Sequence, residues 1–296
     1  MTNTHTMLLA TMFVVGCGPT FDPASLINTT RVVGARVEVE GAPDRASPVP
    51  GETANITWLV TAPDDLPPLG WAFTVCTGTT PGCETGALAQ FEGTDSPPRL
   101  AIAVPSLDAL AGATSLVVYG EICDRLDSSP TFDAQSGVPG CTGGGGTTVS
   151  LVVALQRGDD ANHNPIADRA FAFDGEPWLA GGDPCVTGPR VAAGTKDHVL
   201  DNTTDGADRE LYTAMDETPT RESLQISQFT TAGKLTSQFS FVEATDTSAA
   251  TTASVPWEAP AVADVPADGL AVTFTFVTRD NRGGTDWTTR AACVEP

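Results

Sequence analysis

Five side chains with hard oxygen donors crowd one short stretch of the chain: Asp159, Asp160, Asn162, Asn164 and Asp168. Ca²⁺ takes six to eight such ligands, so this segment is a candidate calcium site that would stiffen whatever it joins. A second acidic stretch, Asp201-x-Thr203-x-Asp205-Gly206, opens as an EF-hand loop does, although Tyr212 stands where the bidentate Glu belongs. Other chemistry is sparse. His5 lies at the start of the chain, while His163 and His198 have no second histidine at zinc spacing and no nucleophile motif beside them. No G-x-S-x-G elbow, Walker A sequence or dinucleotide fingerprint occurs, and the run 143–146 is four glycines without a following Lys. Adjacent carboxylates (Asp64-Asp65, Asp159-Asp160, Asp216-Glu217) would serve glycoside hydrolysis only at the right spatial separation, and 37 acidic residues make such neighbours commonplace. No catalytic residue is expected, and the chain is expected not to be an enzyme.

Seven cysteines are an awkward number for disulfides. Cys17, however, closes a ten-residue apolar run (MLLATMFVVG, residues 7–16) that is too short to span a bilayer and has the length of a signal-peptide core. Setting Cys17 aside leaves Cys76, Cys83, Cys123, Cys141, Cys185 and Cys293, an even set that an oxidising compartment would pair. Six cysteines allow 15 connectivities; pairing by proximity within domains gives Cys76–Cys83, Cys123–Cys141 and Cys185–Cys293. A thiolate metal site is disfavoured, because the closest two cysteines have six residues between them rather than two to four. The sequence Val14-Val15-Gly16-Cys17 resembles the lipobox of bacterial lipoproteins. That resemblance implies a signal peptide over residues 1–16, cleavage before Cys17, and a Cys17 carrying diacylglycerol and a further fatty acyl chain such as palmitate. Each buried CH₂ contributes about 0.8 kcal/mol, so several chains would hold the protein on a membrane where one would not. Gly18 in place of Asp after the cysteine implies, by the same resemblance, the outer membrane.

The elements that would position any site are strands. The 29 Gly and 23 Pro punctuate the chain too often for long helices, and apolar residues make up 41% of it. After a tether over residues 17–30, Val33, Ala35, Val37 and Val39 alternate with polar or small neighbours, a period of two. Ile56, Trp58 and Val60 repeat the pattern, as do Trp71, Phe73 and Val75, then Leu100, Ile102 and Val104, then residues 115–123 and 149–155. Six or seven short strands over residues 31–156 describe a β-sandwich. The acidic, Pro165-containing segment 157–168 is the expected linker. A second sandwich is expected over residues 169–296, with strands near 224–229, 238–243 and 270–276, a turn at residues 280–284, and a short helix or loop near 208–215. The linker and the terminal turn resemble those of bacterial immunoglobulin-like modules, so the expected fold is all-β, two immunoglobulin-like β-sandwich domains in tandem after a cleaved lipoprotein signal peptide.

Fifteen basic against 37 acidic residues leave a net charge of −22, which disfavours nucleic acid as a partner because phosphates require a basic surface. Trp58, Trp71 and Trp287 fall on the inward phase of strands and are expected in the core. Trp178 and Trp257, flanked by prolines or acids, are the loop aromatics on which a sugar ring could stack. The expected protein is therefore a non-catalytic, membrane-anchored surface or periplasmic lipoprotein, similar to surface lipoproteins of Gram-negative bacteria, with a protein or polysaccharide ligand. The alternatives are a carbohydrate-binding lipoprotein using Trp178 or Trp257 and a hydrolase whose site the sequence hides.

Overall fold

The computed structural model describes residues 22–80, 83, 86–125, 127–156, 158–214 and 218–296. Cys17, the apolar run before it and the Asp216-Glu217 pair lie outside the described residues.

The first domain is built from β1 (Arg31–Val39), β2 (Thr53–Thr61), β3 (Gly70–Thr77), β4 (Ala89–Gly93), β5 (Arg99–Ala103) and β6 (Ser115–Cys123). A single helical turn, α1 (Leu107–Leu110), leads into β6, and a hairpin of β7 (Pro130–Phe132) and β8 (Pro139–Cys141) precedes β9 (Gly146–Ala154). Two antiparallel sheets result, ordered β1-β2-β5 and β4-β3-β6-β9. The chain changes sheet between β2 and β3, between β4 and β5, and between β5 and β6, the Greek-key exchange of an immunoglobulin-like sandwich. Alternation explains the packing. β2 buries Ala54, Ile56, Trp58 and Val60 and leaves the residues between them mostly half exposed. Across the gap Trp58 stacks on Phe73 with ring centroids 4.2 Å apart, and Phe73 on Trp71 at 5.0 Å. Gly120 in β6 is required by this closeness, since a Cβ there would stand 2.0 Å from the Ala72 carbonyl and 2.6 Å from the Phe73 ring.

The second domain repeats the plan. Its strands are β10 (Ala170–Phe173), β11 (Glu176–Pro177), β12 (Arg190–Ala192) and β13 (His198–Asp205), with the short helix α2 (Pro184–Thr187) before β12. A hairpin of β14 (Leu211–Thr213) and β15 (Pro219–Arg221) follows, then β16 (Leu224–Thr230), β17 (Lys234–Leu235), β18 (Phe239–Val242), β19 (Ala250–Glu258), β20 (Leu270–Asp280) and β21 (Thr285–Glu295). The sheets are β11-β10-β13-β19-β17 and β12-β21-β20-β16-β18, with β12 parallel to β21. Phe173, Trp178, Leu200, Trp257, Phe274 and Phe276 fill the space between them. The chain is all-β, in two tandem sandwiches.

Three expectations change here. Residues 208–214 form no α-helix: a 3-10 turn at Gly206–Asp208 gives way to the β14–β15 hairpin, and Met215 lies outside the described residues. The EF-hand-like stretch is extended, because Asp201, Thr203 and Asp205 belong to β13, where Asp201 accepts from the Ser254 hydroxyl at 2.6 Å and Thr203 meets Thr252 at 2.8 Å. A strand of alternating residues cannot wrap an ion as a loop does. Trp178 and Trp257 are core side chains, 3% and 0% exposed, so neither is a stacking platform for a sugar.

A third apolar cluster joins the domains. Val33 of β1 packs with Phe229 of β16, Val277 of β20 and Ile27 of the tether, and Leu59 and Trp287 border them. Trp287 therefore belongs to this half-buried seam rather than to a sandwich core. β1 has a bulge between Val32 and Gly34, and a Cβ on Gly34 would lie 3.3 Å from Val277 Cγ1, so a small residue suits the contact. Fully burying an Ile, Val or Phe stabilises by roughly 1.5–3 kcal/mol each, which makes this seam a firm contact.

Candidate functional site

The connection between the domains carries the densest polar chemistry in the described residues. β9 ends at Ala154 and β10 begins at Ala170, and the chain between them is pinned to both sandwiches. Asn164 donates through Nδ2 to the Val37 carbonyl at 2.7 Å and accepts the Thr285 amide on Oδ1 at 2.9 Å, joining β1 to β21 through one side chain. Asn162 donates to Asp280 Oδ2 at 3.2 Å, and its backbone amide donates to Ser47 Oγ at 2.8 Å. Asp280 organises the β20–β21 turn by accepting the Arg282 and Gly284 amides at 2.7 and 2.8 Å. Arg282 then reaches back across the joint. Its guanidinium donates to Glu210 Oε2 at 2.9 Å, Glu222 Oε1 at 3.3 Å and the Ala161 carbonyl at 3.2 Å, and lies 4.7 Å over the Tyr212 ring. His163 Nδ1 meets Glu210, and Arg36 of the first domain pairs with Asp286 of the second at 2.6 Å.

This arrangement engages only part of the donor set that the sequence offered to calcium: Asn164 Oδ1 and Asp168 have partners, whereas Asn162 Oδ1 is buried without one among the described residues. Asn162 and Asn164 serve backbone and carboxylate partners, Asp168 pairs with Arg290, and Asp159 and Asp160 are exposed. Among the described residues no group of three or more His, Cys, Asp or Glu side chains could hold a metal ion. Spacing alone cannot distinguish an Asn that binds an ion from one that satisfies a buried backbone, and here Asn164 bridges two backbone groups while Asn162 donates to a carboxylate.

Glu222 is the strained member of the joint. It is 1% exposed, and its carboxyl is pushed up to about 7, first by burial, then by the Asp280 and Glu210 charges; the Glu210 amide and Arg282 pull it the other way. Burial also raises Asp280. A carboxyl whose folded pKa exceeds its ordinary 4.5 contributes most stability below about pH 4.5 and loses it as pH rises to about 7. The melting temperature of wild type minus that of Glu222→Gln should therefore fall between pH 5 and pH 8. A difference that stays constant across that range would mean Glu222 titrates normally.

One further constellation escaped the sequence entirely. At the far end of the second domain a cleft of about 840 Å³ opens beside α2, lined by Asp174, Trp178, Leu179, Arg190 and His198. On its border Asp174 Oδ2 meets His198 Nδ1 at 2.8 Å, and His198 Nε2 meets Thr195 Oγ1 at 2.7 Å, the order of a nucleophile, base and acid relay. Thr195 Oγ1 also lies 2.6 Å from the Ala192 carbonyl. The hydroxyl has one proton, and the Ala192 carbonyl competes with Nε2 for it. The imidazole packs on Phe173 and Trp257, with centroids 5.5 and 5.9 Å away, as a clamp on the loop between β12 and β13. Asp174 lies 24 residues before His198, and no sequence pattern signals the pair.

The six described cysteines pair as Cys76 with Cys83, Cys123 with Cys141, and Cys185 with Cys293. The third bond ties α2 to β21 beneath the cleft.

No protein-family model matches the chain, and no curated protein matches it. Among solved structures, the two tandem V-type regions of a v-region-containing chitin binding protein align over 91% of this chain and 100% of that chain, at 11% identity and a TM-score of 0.24. At that score the alignment adds nothing to the fold, which rests on the strand order above.

Proposed function

We propose that the chain is a lipid-anchored, non-catalytic module of the outer membrane whose two sandwiches form one stiff unit for contact with a protein or polysaccharide partner. One observation carries this reading: all six described cysteines are used in disulfides, which leaves Cys17, behind its apolar run, with a different role. Paired cysteines fit an oxidising compartment beyond the inner membrane, and a lipid on Cys17 fits a chain in which, among the described residues, no helix is long and apolar enough to cross a membrane. The apolar seam and the Asn162, Asn164 and Arg282 contacts support a fixed angle between the domains, as a spacer or docking module needs. Intact mass of the protein expressed in a Gram-negative host tests the reading, wild type beside Cys17→Ser, before and after reduction and alkylation. The expected result is an acyl adduct that the substitution abolishes, with six thiols alkylated only after reduction. An unmodified Cys17 with its upstream run intact would overturn the anchor, and thiols free before reduction would overturn the compartment.

A further inference from the structure

The outer face of the sheet β12-β21-β20-β16-β18 is covered along its middle and bare at one edge. Register puts Gln225, Ser227 and Phe229 of β16 on this face, with Phe239 opposite Ser227 and Phe241 opposite Gln225 on β18. Phe229 and Val277 are sealed under β1 and the tether. Phe239 and Phe241, on the terminal strand of the sheet, are 42% and 61% exposed and lie side by side with centroids 6.5 Å apart. Among the described residues they are the only aromatic rings in the set of exposed large apolar side chains. Edge strands are normally guarded by charge, yet residues 235–242 (LTSQFSFV) carry none, with Lys234 and Glu243 just beyond their two ends, in a chain of net charge −22.

The tether ends beside this edge. Ile27 donates its amide to the Thr230 carbonyl at 2.8 Å, and the Thr230 amide donates to the Ser25 carbonyl at 2.9 Å. The tether thus enters the structure at the end of β16, the strand that carries β18. Asp22 stays close, accepting from Asn28 at 2.6 Å. Five peptide units separate Asp22 from Cys17 and reach at most about 18 Å, while diagonal neighbours such as Phe229 and Phe239 lie about 7–8 Å apart across paired strands.

We propose that Phe239 and Phe241 form a second membrane contact, resting in the interfacial layer of the bilayer that holds the Cys17 acyl chains. This rests on the lipid-anchor reading above. A chain anchored beside its domain seam lies along the membrane, whereas one anchored at the end of a long stalk would stand away from it. The uncharged run of this edge suits zwitterionic headgroups, which do not repel an acidic protein, and two aromatic rings supply the apolar contact that an interface accepts.

The test uses the full-length chain purified from a Gram-negative host, its mass checked for the acyl adduct, then placed in phosphatidylcholine vesicles with or without bromine on the acyl chains. Phe241→Trp puts a reporter on the patch, while Trp58, Trp71, Trp178 and Trp257 are buried in the cores and contribute little quenching. Brominated lipid should quench the variant at least about twofold more than wild type, as an interfacially seated ring requires. Adduct present without extra quenching overturns the membrane contact and leaves the anchor standing; no adduct overturns both. A dimer of the Cys17→Ser chain that Phe241→Asp dissociates would give the patch to a second copy and likewise overturn the proposal.

Discussion

Replacing Cys185 and Cys293 together by alanine should cost about 4–5 kcal/mol of unfolding free energy, the largest loss of the three disulfides. The bond closes a loop with a sequence separation of 108, against 18 for Cys123–Cys141 and 7 for Cys76–Cys83. In the chain-entropy view the constraint acts on the unfolded state and grows with the logarithm of loop length, which gives about 3 kcal/mol for Cys123–Cys141 and about 2 kcal/mol for Cys76–Cys83. Native contacts point the same way. Cys293 is 3% exposed on β21, and the bond holds α2 against that strand just before β12 pairs with it in parallel, Arg190 opposite Cys293. Without the bond, α2 keeps the Asp183 cap on the Cys185 amide at 2.8 Å, the Thr187 hydroxyl on the Asp183 carbonyl at 3.1 Å, the Arg190 guanidinium on the Cys185 carbonyl and a few backbone bonds. Urea unfolding of the three double-alanine variants, followed domain by domain, checks the order. A loss below about 2 kcal/mol for the long loop would mean that the unfolded second domain is already compact without it.

The sandwich was legible because its cause is local. A strand with one face in the core must alternate, and Ile56, Trp58 and Val60 or Leu100, Ile102 and Val104 do so, with Gly and Pro marking where pairing stops. The stretch between β9 and β10 has no strand among its described residues, and its Asp, Asn and Pro discourage regular pairing. Side-chain destinations were not legible. Asn162, Asn164 and Asp168 have the chemistry of calcium ligands, but their partners Val37, Thr285, Asp280 and Arg290 lie more than a hundred residues away in sequence, and only the docking of the two domains brings them near. Glu210, Glu222 and Arg282 drew no attention for the same reason: each is unremarkable until the β14–β15 hairpin and the β20–β21 turn meet beside the linker. Asp201 and Asp205 show the converse error, in which spacing was matched to a loop while β-pairing with β19 held the backbone straight.

Trp257→Ala should destabilise the second domain by about 3–5 kcal/mol, the usual cost of deleting a large aromatic ring from a packed core. Its flanking Pro256, Glu258 and Pro260 suggest a loop, yet β19 runs through Glu258 and pairs on both sides, with Trp257 opposite His198 on β13 and Leu235 on β17. The ring is fully buried, with Phe274 edge-on at 5.0 Å and Phe173 at 6.3 Å, and its Nε1 donates to the Ala232 carbonyl at 3.1 Å. That carbonyl also accepts from the Thr230 hydroxyl at 2.6 Å, so removing the indole donor strands no buried acceptor. Trp257→Phe should therefore cost much less, about 1–2 kcal/mol, reflecting one lost hydrogen bond and a smaller ring. The contrast separates a packing role from ligand stacking. A surface platform would lose sugar binding in both variants while keeping its unfolding midpoint, whereas a core ring loses stability in proportion to the volume removed. Unfolding free energies of the two variants, set beside wild type, decide the matter, and an alanine variant within about 1 kcal/mol of wild type would put Trp257 back on the surface.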